Sequence, residues 1–434
     1  MSTLKVNKLR DTAGSADAIV LDPNGGAVLA GVTTVSAVKV GSGVTISSDG
    51  DVFTTGITTS STVIVGSGVT ISESGIEASG IGITCANING GQIGRRNIVI
   101  NGGMRINQRG TSSHTLNSGN ANAYVVDRFL VKGGEGTLVA SRDTDVPSGQ
   151  GFVNSIKVDC TGTDTSLDTN FESFIQYLPE AQDLVHLAYG TSGAKTVTFS
   201  FWVKSNLTSG FGFYYYMPDT SRAYQTSFTV SSANTWEKKV ITVVGDTSGT
   251  GFVNDNGVGA EIRVYIAGGS GKVGSSNQNA WGTDTTNRLP SGTNILSSTD
   301  NNFYFTGFQM EVGSQATPFE HLNFDEELSL CQRYYQILKA VGTGSGVNLS
   351  FIASLFRPMR TTPTLSKTSG SFNFGDMVSV ADQSSGSPNI DGYLNQDIQV
   401  TGYIGGFDNL TSYRPYRHEP TGSHPALITA SAEF

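Results

Sequence analysis

The first 94 residues repeat a short pattern of apolar and polar positions. Residues 38–46 follow the order V-x-V-GSG-V-x-I, and residues 63–71 follow the same order. Alternating apolar residues on each side of a Gly-Ser-Gly turn predict two short antiparallel strands with one apolar face. The turn glycines Gly25, Gly50 and Gly75 are spaced 25 residues apart. A period of this length indicates stacked structural units rather than a compact enzyme fold.

Each repeat contains only a handful of Val and Ile residues, which is too little apolar surface for a core within one chain. We therefore expect residues 1–94 to form a thin β-rich shaft in which three identical chains cover one another's apolar faces. A flexible Gly/Ser linker is the alternative, although linkers rarely keep β-branched residues in register.

After residue 94 the chain changes to longer runs of alternating apolar and polar residues, separated by loops rich in Gly, Ser, Asn and Asp. Because helix signals are rare in this part, residues 95–324 are predicted to form one jelly-roll-like β-sandwich. Residues 179–190 are predicted to form a short helical turn. The predicted strands are NSIKVDC (154–160), KTVTFSFWVKS (195–205), GFYYYM (212–217), EKKVITVV (237–244), AEIRVYIA (260–267) and NFYFTGFQMEV (302–312).

One strong helix is predicted over residues 323–339, NFDEELSLCQRYYQILK. Asn323 is a preferred N-cap residue, and Glu326 follows it at the spacing of a capping box. The three acidic residues 325–327 favour the positive end of the helix dipole, which accounts for this acidic cluster. The residues expected on the apolar face are Leu328, Cys331, Tyr335 and Leu338.

The glycine-rich segment 342–346 is predicted to end this element, so residues 325–345 are interpreted as a helix and linker. Residues 346–434 are then predicted to form a small C-terminal β domain. Its predicted strands are NLSFIASLF (348–356), SFNFGDMVSV (371–380), DIQVTGYI (397–404) and ALITASAEF (426–434).

Composition and charge narrow the possible functions. Charged residues make up 15% of the 434 residues, and the net charge is −9. Since nucleic-acid binding needs a basic surface, we expect no nucleic-acid partner. The three cysteines, Cys85, Cys160 and Cys331, form no CxxC pair, which argues against a disulfide framework and a zinc site. No motif indicates a cofactor, and no ligand spacing specifies a structural metal, so the metal question stays open.

The first residues, MSTLKVNKLRD, contain no apolar segment typical of a secretion signal, and no run of 18 apolar residues occurs in the chain. We therefore expect a protein that is assembled in a cytoplasm and does not insert into a membrane.

Several segments together resemble a β-sandwich module of phage tail fibre proteins. They are, in order, NIVINGGMRINQRGTS (97–112), AYVVDRF (123–129), VTFSFWVKSN (197–206), NTWEKKVITVVGD (234–246), the segment 305–336 and ITASAEF (428–434). Their order and spacing carry the resemblance. The N-terminal TLKVNKLRDTAG and the GVTT repeats resemble fibre or virion proteins of cyanophages and other marine phages.

This resemblance implies a homotrimer whose N-terminus binds phage tail, adaptor or capsid proteins. The distal sandwich is of a kind compared to carbohydrate-binding modules. The resemblance thus implies a virion tail fibre that adheres to host surface polysaccharide or lipopolysaccharide. A capsid-decorating or other structural virion protein that uses the same sandwich is the alternative.

Signals for catalysis are poor. The sequence contains no HExxH, no GxSxG and no P-loop, and no pair of carboxylates stands out as the acid and base of a glycosidase. We therefore predict no catalytic residues and no enzymatic activity. A polysaccharide depolymerase is the third and least favoured hypothesis.

Candidate glycan-binding residues were sought among aromatic side chains that have polar neighbours, because an aromatic ring covers the apolar face of a sugar. Trp281 has this composition beside Asn277 and Asn279, although a loop anchor packed under the sandwich is the alternative. Trp202 faces outward if its neighbours on the strand face the core, unless the second sheet face is also covered. The segment YYYM (214–217) adds Tyr215 as a candidate.

The loop YRPYRHEP (413–420) adds basic and aromatic candidates, namely Arg414, Tyr416 and Arg417. Guanidinium groups suit acidic glycans, since they bind carboxylate and phosphate in a planar, two-pronged geometry. A solvated loop without a binding role is the alternative.

Overall fold

The computed structural model describes residues 95–434, apart from 111–112, 275–277, 284–287, 290–291, 377–380, 393–398, 408–409 and 424, together with six strands between residues 8 and 78. The chain divides into two compact units, Met1–Thr84 and Cys85–Phe434. The sheets of the described residues are antiparallel throughout, so the prediction of an all-β protein is confirmed.

The described residues of the first unit form two three-stranded sheets. Their strands are β1 (Lys8–Arg10), β2 (Asp17–Leu21), β3 (Ala27–Leu29), β4 (Thr62–Val65), β5 (Val69–Ser72) and β6 (Gly75–Ala78). Val63 pairs with Ile71 and Val65 pairs with Val69, which confirms the hairpin predicted over residues 63–71. Its predicted copy at residues 38–46 lies outside the described residues. Whether other chains cover these sheets stays a prediction.

The second unit begins with a two-layer sandwich. Its strands are β7 (Ser113–Leu116), β8 (Asn122–Val126), β9 (Phe129–Lys132), β10 (Thr137–Asp143), β11 (Ser155–Gly162), β12 (Glu172–Tyr177), β13 (Val197–Ser205), β14 (Gly210–Met217), β15 (Arg222–Thr229), β16 (Glu237–Val243), β17 (Glu261–Gly268), β18 (Trp281–Gly282) and β19 (Asn302–Val312). One sheet has the order β16-β13-β19-β11-β10-β7, and the other has the order β18-β15-β14-β17-β12-β9-β8. All six strands predicted in this region are present.

The core of the sandwich lies between these two sheets. Period-two alternation places Phe199, Phe201 and Val203 of β13 on the inner face, where they are fully buried. The ring of Phe201 stacks on that of Phe213 from the opposite sheet, with 6.1 Å between centroids. Residues 179–190 form two short 3-10 turns, as the sequence predicted for this segment.

Ten further strands follow in the C-terminal part. They are β20 (Tyr335–Leu338), β21 (Ala340–Ser345), β22 (Asn348–Ser354), β23 (Thr364–Lys367), β24 (Phe372–Asp376), β25 (Ala381–Ser384), β26 (Pro388–Gly392), β27 (Gln399–Ile404), β28 (Pro415–His418) and β29 (Ile428–Ser431). They form a three-stranded sheet, β20-β29-β23, and a seven-stranded sheet, β25-β24-β28-β21-β22-β27-β26.

The helix is shorter than its sequence pattern predicts. Helix α1 spans Phe324–Cys331, and the prediction of a helix through Lys339 is wrong. Asn323 occupies the N-cap position, but its side chain makes no capping hydrogen bond. The chain leaves the helix because Tyr335 pairs with Ser431 in a strand ladder, and this tertiary pairing overrides helical propensity. None of the described helices is long and apolar enough to cross a membrane.

The segment predicted as a glycine-rich break is mostly strand. Residues 342–345 belong to β21, which pairs with β22 over its full length. The turn is the two-residue loop Gly346–Val347, in which Gly346 has a φ of +64°. A glycine with positive φ at this position suits a two-residue hairpin. The chain therefore continues the sheet where the sequence analysis placed a linker.

Candidate functional site

Four of the six segments that carry the resemblance contribute residues to a buried ionic cluster. It contains three arginines and three acidic residues, linked by ion pairs and by the side chain of Tyr334. The members of the buried ionic cluster are Arg109, Asp127, Arg128, Glu180, Arg333 and Glu433. Their charges balance, as burial of ions requires.

Arg128 lies at the centre of this cluster. Its Nη1 donates a hydrogen bond to Glu433 Oε2 at 2.6 Å, and its guanidinium carbon lies 3.4 Å from the ring centroid of Tyr334. Burial alone would lower the pKa of Arg128, but Glu433 and the neighbouring tyrosines raise the pKa of the guanidinium overall. Arg128 therefore remains charged within the protein interior.

Glu180 extends the cluster to the end of the helix. Arg333 donates to both carboxylate oxygens of Glu180, at 2.6 and 2.7 Å, and the Tyr334 hydroxyl donates at 2.6 Å. Burial raises the pKa of Glu180, but these hydrogen bonds outweigh burial and lower the pKa below its ordinary value. The cluster joins the sandwich to the C-terminal strands, so these motif residues hold the fold together rather than form an accessible surface.

Trp281 packs against the edge of the core. Its ring makes edge or tilted contacts with Tyr189, Tyr215 and Tyr224, at centroid distances of 5.7, 5.2 and 5.7 Å. Its Nε1 donates to the carbonyl oxygen of Val244 at 2.7 Å. The indole N–H and much of the ring are thereby occupied within the protein. The structure therefore favours the loop-anchor alternative for Trp281 over the glycan contact that the sequence predicted.

Tyr215 is fully buried, with 0% of its surface exposed, so the prediction that it contacts a glycan is wrong. Its strand β14 faces the core with Phe213 and Tyr215, because period-two alternation puts both side chains between the sheets. On the other face of the strand Tyr214 is also buried, and Tyr216 is partly exposed.

Asn279 is exposed but has a structural role. Its backbone φ is +59°, its N–H donates to the carbonyl of Gln225 at 2.8 Å, and its side-chain oxygen accepts from Thr226 at 2.6 Å. These bonds tie the loop to β15. Asn277, the other predicted polar neighbour of Trp281, lies outside the described residues.

Trp202 lies on the outer face of the six-stranded sheet and is half-buried. It packs over Gly307, where an added Cβ would lie 3.0 Å from Trp202 Cδ1 and 2.6 Å from Phe152 Cζ. Thr198 and Ser200, on the same face of β13, are buried, so this sheet face is partly covered. Trp202 therefore keeps only part of its ring accessible.

The three candidates of the C-terminal loop separate into different environments. Arg414 donates to the buried Asp376 carboxylate at 2.5 Å. Tyr416 is only 2% exposed, and its hydroxyl accepts from the N–H of Thr411, so only a small edge of its ring reaches the surface and its contact with a glycan stays a prediction. Arg417 is exposed and pairs with Glu419 at its side.

Arg417 lies at one side of an open cavity of about 600 Å³ on the exposed face of the C-terminal sheet. We call this cavity the C-terminal groove. Its lining residues are Val341, Gly342, Thr343, Ser350, Phe351, Ile352, Thr401, Gly402, Pro415, Tyr416 and Arg417.

The register of four neighbouring strands builds the groove in two rows. In the first row Val341 pairs with both Arg417 and Ile352, and Ile352 pairs with Thr401. In the second row Thr343 pairs with Pro415 and Ser350, and Ser350 pairs with Tyr403. Each row therefore combines apolar or aromatic surface with a hydroxyl or guanidinium group.

Two groove residues, Val341 and Ile352, were not among the candidate glycan-binding residues predicted from the sequence. Ile352 and Val341 are among the exposed large apolar residues, at 47% and 61% exposure. The available signal was the segment NLSFIAS, in which Ile352 stands on the face opposite Leu349 and Phe351. One such residue is ordinary by itself, but Ile352 pairs with Val341, and contiguous exposed apolar residues indicate a contact surface.

The side chains of the C-terminal groove define what a ligand would meet there. Its side chains offer apolar surface, hydroxyl groups and one guanidinium, and no carboxylate lines it. Among the residues that the structure describes, no group of three or more His, Cys, Asp or Glu is arranged to hold a metal ion. The groove therefore offers hydrogen-bond donors and acceptors to a polar ligand that also has an apolar face.

No protein-family description matches the sequence, and no curated protein matches it. Among solved structures, a candidate sugar-binding protein from Bacteroides thetaiotaomicron VPI-5482 matches with a TM-score of 0.29 and 9% identity, over 50% of this chain and 100% of that chain. The N-terminal CBM22-1-CBM22-2 tandem domain from Paenibacillus barcinonensis Xyn10C matches with a TM-score of 0.24 and 11% identity, over 81% and 100% of the two chains. The agarase AgWH50C matches with a TM-score of 0.22 and 7% identity, over 63% of this chain and 36% of the agarase. Because these TM-scores are low, the three matches carry no argument about function.

Proposed function

We propose that the protein is an adhesin that binds a host surface glycan through the C-terminal groove. The observation that carries this proposal is the open cavity of about 600 Å³ on an exposed sheet face, which is lined by a cross-strand pair of apolar side chains and, next to it, a pair of hydroxyl side chains. A sugar chain has the matching chemistry, because each ring has an apolar face and a rim of hydroxyl groups. Arg417 adds a positive charge at the edge, which favours acidic glycans.

The volume and the openness of the groove agree with this ligand class. Ligand sites typically measure about 300–1,000 Å³, and the groove falls in the middle of that range. An open sheet face accepts a polymer that enters and leaves at both sides. Such a shallow site binds weakly by itself, so several copies on one particle raise the total affinity through avidity.

In this proposal the protein acts as a homotrimeric tail fibre on a phage virion, with the N-terminal repeats as its shaft. The order of the segments that resemble phage tail fibres supports this part, together with the 25-residue spacing of the repeats. The N-terminus then binds tail or adaptor proteins. Electron microscopy of virions labelled at the N-terminus tests it, and label spread over the capsid shell would support the decorating-protein alternative instead.

A pair of matched valines tests the groove. Val341 in the groove is 61% exposed, and Val244 at the end of β16 is 60% exposed, so both positions accept a polar side chain on the surface. We expect Val341→Asp to weaken binding to host cells and purified host polysaccharide about tenfold, because it places a charge beside the apolar side chain of Ile352 in the groove. Val244→Asp should bind like the wild type.

The measurement is biolayer interferometry on immobilised host polysaccharide, with thermal melting as the folding control. Arg417→Ala should weaken binding to acidic glycans more than to neutral ones. Equal binding by the Val341→Asp and Val244→Asp variants, with equal melting temperatures, would remove the groove from the proposed function.

A further inference from the structure

A second cavity lies at the start of the helix, between the sandwich and the N-terminal segment of the second unit. It measures about 290 Å³, and we call it the Glu327 pocket. The lining residues that carry the argument are Gly103, Arg105, Phe152, Phe319, His321 and Glu327. None of them lines the C-terminal groove.

Glu327 places a buried carboxylate against this pocket. The residue is 7% exposed, and its Oε1 accepts a hydrogen bond from the N–H of Asn101 at 2.6 Å. Within the described part of the chain, no hydrogen bond reaches the other oxygen, Oε2. Burial raises the pKa of Glu327, while the Asn101 N–H and the charge of Arg105 act in the opposite direction. This oxygen is therefore available to accept a hydrogen bond from a ligand in the pocket.

Three rings form one side of the pocket. The centroids of Phe152 and Phe319 are 4.9 Å apart, and those of Phe319 and His321 are 4.8 Å apart. The rings meet edge to face, at interplanar angles of 69° and 67°, so they form an aromatic wall that is made of both ring faces and ring edges. Trp202 lies next to this wall, since Phe152 and Trp202 both pack over Gly307.

Arg105 supplies the opposite chemistry at the opening of the pocket. Its side chain is exposed, and its guanidinium lies 5.2 Å from the ring centroid of Phe324. The carboxylate disfavours an anionic ligand and the guanidinium disfavours a cationic one. A neutral ligand with several hydroxyl groups and one apolar face satisfies the acceptor, the donor and the aromatic wall together.

We propose that the Glu327 pocket binds a single neutral sugar ring, with its hydroxyl groups at Glu327 and Arg105 and its apolar face against one ring of the aromatic wall. The size agrees, because about 290 Å³ is at the lower end of small-molecule sites. This inference deepens the proposed function, on which it rests for the ligand class, by adding a monosaccharide site to the polymer site of the groove.

Two variants test the pocket without disturbing the fold. A Cβ at Gly103 would lie 3.8 Å from the rings of Phe152 and Phe319, an ordinary contact distance, so Gly103→Leu fills the pocket. Glu327→Gln keeps the shape and the acceptor for the Asn101 N–H but removes the charge. The probe is a panel of neutral methyl glycosides of glucose, galactose and mannose, and the readout is saturation-transfer NMR on the full chain.

We expect at least one glycoside to give a transfer signal with the wild type and with Val341→Asp. Gly103→Leu should abolish this signal, and Glu327→Gln should weaken the affinity about tenfold, as for the loss of a charge-assisted hydrogen bond. If Gly103→Leu fails to fold by thermal melting, Glu327→Gln decides alone.

The proposal for the Glu327 pocket is wrong if no glycoside gives a signal, or if the wild type and Glu327→Gln give equal signals. It is also wrong if Val341→Asp loses the signal, because the glycoside would then bind in the C-terminal groove. The reverse pattern separates the two proposals. A pocket signal that persists while Val341→Asp still binds host polysaccharide normally would reject the groove and leave the pocket in place.

Discussion

At the scale of single residues, Arg128 combines backbone strain with a buried charge. Its φ is +73°, a left-handed conformation that is rare for a residue with a long side chain. It occupies the tight turn between β8 and β9, so the turn aims the guanidinium inward at Glu433 and Tyr334. The strain persists because the buried ionic cluster holds the side chain in place.

The first prediction concerns Trp281. We expect Trp281→Ala to reduce the free energy of unfolding by about 3–5 kcal/mol, because it removes ring contacts with three tyrosines at the core edge. It also leaves the Val244 carbonyl without its indole donor. The measurement is urea unfolding followed by circular dichroism.

Trp236 is the matched control for this substitution. Its indole also donates one hydrogen bond, to the exposed Asp145, but its ring contact is with the partly exposed Tyr304. Trp236→Ala should therefore cost less than Trp281→Ala. If Trp281→Ala instead leaves stability unchanged and weakens glycan binding, the loop-anchor assignment is wrong.

The sequence identified the right residue types at this scale but not their exposure. Trp281, Tyr215 and Tyr416 were selected as aromatic residues with polar neighbours, and the structure buries each of them wholly or in large part. The alternation of residues along a strand predicts which side chains share a face, but it does not predict whether another layer of the protein covers that face. Glu327 was not predicted as a site residue, because the sequence analysis explained it fully as an acidic residue in the first turn of a helix. The structure shows that it also lines a pocket.

At the scale of secondary-structure elements, the last strand, β29, is held at its end by the ionic cluster. We expect Glu433→Ala to destabilise the protein by about 3–5 kcal/mol, because it leaves the buried Arg128 without its counter-charge. Urea unfolding measures this change. Glu419→Ala, which breaks the more exposed pair with Arg417, should cost much less. Equal effects of the two substitutions would show that the cluster does not anchor β29.

The C-terminal sheet should lose stability in mild acid through His418. This ring is buried, its Nε2 donates to the Ala426 carbonyl at 2.8 Å, and its Nδ1 has no hydrogen-bond partner among the described residues. Burial, together with the charge of Lys339, lowers the pKa of His418 below its ordinary value. The unfolded chain therefore binds the proton more readily than the folded protein.

It follows that the stability contributed by neutral His418 is present above the ordinary histidine pKa, about 6.5, and is lost as the pH falls through the lowered pKa. We expect the free energy of unfolding to decrease between pH 7.5 and pH 5, as measured by urea titration. His418→Leu should reduce this dependence. An unchanged pH profile in the variant would assign the acid sensitivity to other groups.

Elements were predicted well where one strand pattern was long and poorly where two patterns competed. The six predicted sandwich strands were found because each is a run rich in β-branched and aromatic residues between polar loops. Residues 335–338 satisfy both a helical and a strand period, and the ladder to β29 decides in favour of the strand. The residues near a strand do not show which distant strand it will pair with, so this pairing could not be predicted from the local sequence.

At the scale of the whole molecule, the N-terminal repeats predict the assembly. The described strands β4, β5 and β6 are short: β4 carries three Val or Ile residues, β5 carries two and β6 carries one. We expect the full chain to have the mass of three subunits by multi-angle light scattering, because copies of the chain must cover these strands. A single-subunit mass, with the repeats resistant to protease, would contradict this prediction.

The sequence by itself determined the all-β class, the position of the longest strands and the repeat, because each follows from a periodicity that neighbouring residues set. Only the tertiary structure decided where the helix ends, which aromatic residues are buried, and that β28, β21, β22 and β27 form one open groove. These features depend on which distant segment covers each face. Burial is a property of two surfaces in contact, and the sequence shows only one of them at a time.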